Sequence, residues 1–197
     1  MLSNEGVSRE TLIERYFPQR QAEIARYAEL LAREAILRGL LGPREGDRIW
    51  ERHIFNSLPV ISLIPQGASV IDIGSGAGLP GIPLALARPD ISMVLIEPLH
   101  RRVVFLEEAS LGLGITVLRG RAQDQKIRAQ VVVARAVTSL EKLKSWSWHL
   151  LDQGGVLLAI KGQNAADEAA GVPGAQIHEI KLAGLELGRV ISLRKGA

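Results

Sequence analysis

Cysteine is absent from the 197 residues, and only eight side chains are aromatic: three Trp, two Tyr and three Phe. Without cysteine there is no disulfide scaffold, no Cys-ligated zinc or iron–sulfur centre and no thiol catalysis. Four scattered His residues, no two of them close in sequence, leave no expected metal site. The scarcity of aromatics argues against a base-stacking platform of the kind single-strand binders use. No uninterrupted apolar run approaches the ~18–20 residues needed to span a bilayer. Met1–Glu10 is polar and lacks the apolar stretch of a signal peptide. These absences lead us to expect a cytoplasmic protein with no membrane partner, and we expect it to be a monomer. The length suffices to bury one core.

The formal net charge is +3, and the cations are 18 Arg against 6 Lys. Arg is the better fork for phosphate. The excess is local. Acidic and basic side chains cancel over residues 1–64, whereas Arg101, Arg102, Arg119, Arg121, Lys126, Arg128 and Arg135 face only Glu107, Glu108 and Asp124. A stretch of that sign suits a polyanion.

The first 64 residues read as a helical extension. Ile24, Tyr27, Ala28, Leu30, Leu31, Ala35 and Leu37 recur at spacings of three and four. Gly39, Gly42 and Pro43 then punctuate the chain, and Ile49, Trp50, His53, Ile54 and Leu58 share one side of a second helical stretch. From Ser69 the pattern changes to an α/β alternation spanning residues 65–197. Strands are expected at Val70–Ile73, Ser92–Ile96, Ile115–Leu118, Val131–Ala134 and Val156–Ile160, with helices at Leu79–Ala87, Arg101–Leu111 and Ser139–Leu151. Such alternation implies a parallel sheet with right-handed crossovers. The link Arg119–Gln130 has room for one helical turn at most. Gln176–Leu182 and Arg189–Leu193 read as an antiparallel hairpin at the sheet edge. Gly162–Gly174 is rich in Ala and Gly and is expected to be mobile.

The strongest motif is Asp72-Ile73-Gly74-Ser75-Gly76-Ala77-Gly78-Leu79-Pro80-Gly81, which follows a strand and opens a helix. Glycines let backbone adopt positive φ and approach a ligand closely, and a helix start offers unpaired N–H groups. The Gly-x-Gly-x-Gly spacing differs from the Gly-x-Gly-x-x-Gly of dinucleotide enzymes. Glu97, at the end of the second strand, is placed to accept hydrogen bonds from ribose hydroxyls.

The glycine loop, the acidic strand end and the terminal hairpin resemble a class I S-adenosylmethionine-dependent methyltransferase with a Rossmann-like sheet. More narrowly, the chain resembles the RsmG (GidB) family of 16S rRNA guanine-N7 methyltransferases. Six stretches carry that resemblance: Trp50–Leu58, Gly74–Pro83, Glu97–Leu106, Gly120–Gln123, Ala134–Ala136 and Ala159–Gly162. It implies S-adenosyl-L-methionine as cofactor. Gly74, Gly76, Gly78 and Leu79 would line its methionine part, Glu97 would hold the ribose, and Ala122 and Gln123 would flank the adenine. Arg135 matches a family arginine near the cofactor. Arg101, Arg102 and Lys161 would contact the phosphate backbone of 16S rRNA or the small subunit, with Arg52 and His53 on the same side. The alternative left open for His53 is a satisfied core histidine. The chain departs from the family at Asn56 and Gln123, where acidic residues are frequent, and at Ala129-Gln130-Val131, which lacks a usual acidic residue.

The target implied by the resemblance is guanine 527 in the usual 16S numbering. Guanine N7 carries a lone pair and no proton, so methyl transfer to it needs alignment more than a general base. That suits a chain without a Ser/His/Asp or paired-carboxylate constellation. Other readings are a methyltransferase for another RNA or a small molecule, a dinucleotide-dependent oxidoreductase and a non-catalytic RNA-binding module. The glycine spacing argues against the oxidoreductase, the few aromatics against the RNA-binding module and the local Arg excess against a small-molecule substrate, which leaves another RNA as the open alternative.

Overall fold

Four of the five side chains in Ser69–Ile73 are buried, on both faces of the strand. That is the signature of a central strand in a parallel sheet, and the computed structural model, which describes residues 7–135 and 137–196, places it there. Seven strands form the sheet: β1 (Ser69–Ile73), β2 (Ser92–Glu97), β3 (Thr116–Arg119), β4 (Ala129–Arg135), β5 (Leu151–Lys161), β6 (Gln176–Lys181) and β7 (Leu187–Arg194). Their order is β3-β2-β1-β4-β5-β7-β6. The first five run parallel, and β7 pairs antiparallel with both β5 and β6. The chain leaves β1 toward β2 and β3, then returns to β4 on its other side. The gap beyond the carboxyl ends of β1 and β4 is therefore the topological switch point, where open α/β sheets bind ligands.

Among the described residues, six α-helices accompany the sheet: α1 (Arg9–Tyr16), α2 (Gln21–Leu30), α3 (Gly81–Ala87), α4 (His100–Ala109), α5 (Leu140–Ser147) and α6 (Ala165–Ala170). Ser8 caps α1, its hydroxyl accepting from the Thr11 N–H at 3.2 Å. Helical turns extend α2 to Ala35 and fill Ile49–Leu63, with Pro59 inside the last of them. One helical turn, Ala122–Asp124, occupies the short link before β4.

Alternate strand residues feed two cores. Val70, Val131, Val133, Leu158 and Val190 pack with α3, α4 and the helical extension. Ile71, Val132, Leu157 and Ile191 pack with α5 and α6 on the opposite face. Leu12, Ile24, Leu31, Ile54 and Leu58 belong to the first cluster, so the extension shares the core of the α/β unit.

The 162–174 segment departs from expectation. It carries α6, and Ala165, Ala169 and Val172 are buried against the second core. Spacings of four and three put these small side chains on one face. Small residues that would suit a loop here let a short helix lie close to the sheet. No helix among the described residues is long and apolar enough to cross a membrane.

Candidate active site

Leaving β1, the chain must turn at once, because Ile73 is the last residue of a central strand. The N–H groups of Gly74 and Ser75 both donate to the Ile96 carbonyl, at 2.9 and 3.2 Å, which fastens the loop to the end of β2. Gly74 and Gly76 have φ of +67° and +60°, in the left-handed region that favours glycine. A Cβ on Gly74 would press on Val137 at 3.0 Å, whereas one on Gly76 would meet only the Gly74 carbonyl, at 3.8 Å. The Gly76 side of the loop is therefore an open cradle. Beneath it the buried Tyr27 hydroxyl donates to the Ala77 carbonyl at 2.8 Å, tying α2 to the loop.

Two carboxylates frame this turn. Asp72 is fully buried; its Oδ2 accepts from the Gly81 N–H at 3.0 Å, and its Oδ1 has no partner. Burial outweighs that hydrogen bond and pushes the Asp72 carboxyl up to about 7. Glu97 is 1% exposed. Its Oε2 accepts from the Gly76 N–H and its Oε1 from the Leu99 N–H, both at 3.0 Å. Each carboxylate oxygen has two lone pairs, so each keeps one for a hydroxyl donor. Arg102 stands 3.6 Å from Glu97 Oε2, with its own Nε buried and unpartnered.

A mostly apolar cavity of about 230 Å³ lies beside Glu97, lined by Ile73, Gly74, Ile96, Pro98, Ala122, Val137 and Trp146, with Arg121 and Gln123 also in its wall. A second, polar cleft of about 540 Å³ adjoins it, with Val137 in the wall of both. Asn56, Arg135, Lys161 and Glu186 are among its lining residues.

The second cleft is bordered by a clamp. Arg135 Nη1 donates to the His53 carbonyl at 2.8 Å and Ser57 Oγ at 3.1 Å, and Nη2 to the Arg52 carbonyl at 2.9 Å. Nη2 also lies 3.2 Å from His53 Nδ1, and His53 Nε2 lies 2.8 Å from Glu45 Oε2. With Arg135 donating to Nδ1, the imidazole proton sits on Nε2 and is given to Glu45. Burial pulls the His53 pKa below its ordinary value, and the His53 hydrogen bond lowers that of Glu45.

The family model for rRNA small subunit methyltransferase G matches residues 20–183. The chain belongs to this RsmG family. Among its relatives, the ribosomal RNA small subunit methyltransferase G of Mycolicibacterium gilvum is 58% identical over 150 residues, covering 73% of this chain and 66% of the relative. That of Mycobacterium marinum is 54% identical over 150 residues, with the same two coverages. The chain thus spans just under two thirds of the length of these curated relatives. The crystal structure of a methyltransferase from Pyrococcus furiosus superposes with a TM-score of 0.58 at 13% identity, covering 92% of this chain and 100% of that one. That likeness is one of fold, the class I methyltransferase sheet.

Within this RsmG-family fold the residues singled out in the sequence divide into two groups. Gly74, Gly76, Glu97, Ala122 and Gln123 gather around the smaller cavity and its glycine loop. Gly78 and Leu79 follow directly, each N–H donating to the Ser75 carbonyl. Arg135 does not join them: its guanidinium is turned to the helical extension, because four backbone and side-chain acceptors converge on it there. Of the expected RNA contacts, Arg101 is exposed and unpaired among the described residues. Arg102 turns inward to Glu97. Lys161 has a side chain only 8% exposed, ion-paired with Glu168 at 2.6 Å and donating to the Thr138 carbonyl at 2.8 Å. His53 is the satisfied interior histidine, and Arg52 pairs with Glu45 at the surface. Arg119, Arg121, Lys126 and Arg128 are exposed and unpaired among the described residues, and these join Arg101 as the free cations of the basic stretch. Sequence reasoning misses Val137, Trp146 and Glu186. Trp146 stands beside the buried Leu143 and Ser147 on α5, and no local pattern marks it as facing a cavity.

Proposed function

We propose that the chain transfers a methyl group from S-adenosyl-L-methionine to N7 of a guanine in 16S rRNA. The guanine at position 527 is the target implied by family membership. The observation that carries this reading is the pairing of sites across Val137: an apolar slot beside a buried strand-end carboxylate, and a polar cleft next to it. The residues fit the cofactor. Glu97 keeps two free lone pairs for the ribose, the slot between Ile96 and Trp146 suits a flat purine, and the Gly76 cradle leaves space for the methionine part. When bound, S-adenosylmethionine supplies an electrophilic methyl on a sulfonium.

The chain's own work is alignment. Guanine N7 attacks with its lone pair and releases no proton, so no side chain need act as base. The loop, held by the Ile96 carbonyl, Glu97 and Tyr27, sets one reactant, and the cleft sets the other. Arg101, Arg119, Arg121, Lys126 and Arg128 supply a phosphate-facing surface that positions RNA without reading its bases. Calorimetry with S-adenosylmethionine, followed by methylation of small-subunit rRNA, tests the reading. Failure to bind the cofactor overturns it.

A further inference from the structure

The cations that line the larger cleft are already paired. Arg135 is held by the extension, Lys161 by Glu168 and Thr138, and Arg189 by Glu179 at 2.9 Å. Among the described residues, the lining side chains left without hydrogen-bond partners include the Glu186 carboxylate and the Asn56 and Gln163 amides. A phosphate seat needs a free cation or convergent N–H groups. An ionised carboxylate only accepts, so its complement is a neutral group that offers adjacent N–H donors.

Topology sets where that acceptor stands. Val137 follows β4, and Glu186 immediately precedes β7, with β5 lying between the two strands. At about 4.8 Å per strand, Glu186 stands roughly 10 Å across the cleft from the wall shared with the cofactor slot. Guanine carries N7 and O6 on one edge, and N1–H with the 2-amino group on another. Turning N7 toward the shared wall directs the N1–H and 2-amino donors at the β7 side. Neither pyrimidine nor adenine offers that adjacent pair. The cleft volume of about 540 Å³ lies in the range of ~300–1,000 Å³ typical of small-molecule sites.

We propose that this cleft receives the target guanine, unstacked from its RNA, and that Glu186 accepts hydrogen bonds from its Watson–Crick edge and so sets base specificity. The proposal rests on the guanine-N7 reading above. Enzymes that modify a base in a pocket read that edge in this way. The test uses the full chain and small-subunit rRNA ligated to carry guanosine or inosine, which lacks the 2-amino group, at the target position. A charge-assisted hydrogen bond is worth about 1.5–3 kcal/mol, which corresponds to a preference for guanosine over inosine of about 10- to 100-fold in kcat/KM. Glu186→Ala is expected to lower kcat/KM on guanosine and bring the preference near unity, with S-adenosylmethionine affinity unchanged by calorimetry. Glu186→Asp should restore part of the preference. An undiminished preference in Glu186→Ala overturns the assignment of the cleft alone. Absence of transfer to either RNA by the unaltered chain overturns the guanine-N7 reading beneath it.

Discussion

Single positions in the glycine turn separate binding from folding. A Cβ at Gly76 meets only the Gly74 carbonyl at 3.8 Å, so its steric cost is that of the left-handed backbone, ~1–2 kcal/mol, and an aspartate adds a negative charge beside Glu97 where the cofactor would lie. Gly76→Asp should therefore remain folded by circular dichroism yet show no heat of S-adenosylmethionine binding. Retained affinity would move the cofactor away from this loop. Asp72 gives a pH signature. Its carboxyl is raised from 3.8 to about 7, so the folded state holds more protons than the unfolded chain between those values. Its contribution is most favourable at acid pH, declines as pH rises to about 7, and is flat above. Subtracting the Asp72→Asn unfolding curve from that of the unaltered chain should isolate this decline. A flat difference would mean that Asp72 titrates normally. The glycines and Glu97 are legible in the sequence because one strand and one turn determine their surroundings. The partners of Arg135 and Lys161 are not, because those of Arg135 lie 78 to 83 positions upstream and those of Lys161 are Thr138, 23 upstream, and Glu168 on the following helix, all brought in by tertiary packing.

Between elements, the clearest dependence is that of the helical extension on β4. Arg135 reaches four acceptors, the Arg52 and His53 carbonyls, Ser57 Oγ and His53 Nδ1, and removing it takes the guanidinium donors from all of them. Arg135→Ala should cost about 2–4 kcal/mol in denaturant unfolding, with the fall in amide protection concentrated in Ile49–Leu63. Arg135→Lys should not rescue it, since one ammonium cannot reproduce the guanidinium fork. Lost cofactor affinity with unchanged stability would instead put Arg135 in the cofactor site. The strand–helix alternation and the terminal hairpin are legible from buried apolar runs and glycine punctuation. The short helix α6 is not, because Ala-rich sequence suits a loop and a helix alike until the sheet supplies a face for Ala165 and Ala169. The fused core of extension and sheet also lies beyond local periodicity, which shows that a helix has an apolar side but not what covers it.

At the scale of the molecule, the basic stretch divides into cations that build the site and cations left facing solvent. Replacing Arg101, Arg119 and Arg128 together by Ala should weaken RNA binding. The slope of log K against log salt should fall by about 0.7–0.9 for each phosphate no longer neutralised. Lys161→Ala should leave that slope unchanged, since its ammonium is sequestered by Glu168. A change in cofactor affinity without a change in slope would place the RNA face elsewhere. The most direct test of the central claim is primer extension on 16S rRNA after chemical cleavage at N7-methylguanine. The RNA would come from cells lacking this chain, with and without complementation. The stop should disappear without the chain, return with it, and not return with Gly76→Asp. A stop that persists in cells lacking the chain would contradict the claim.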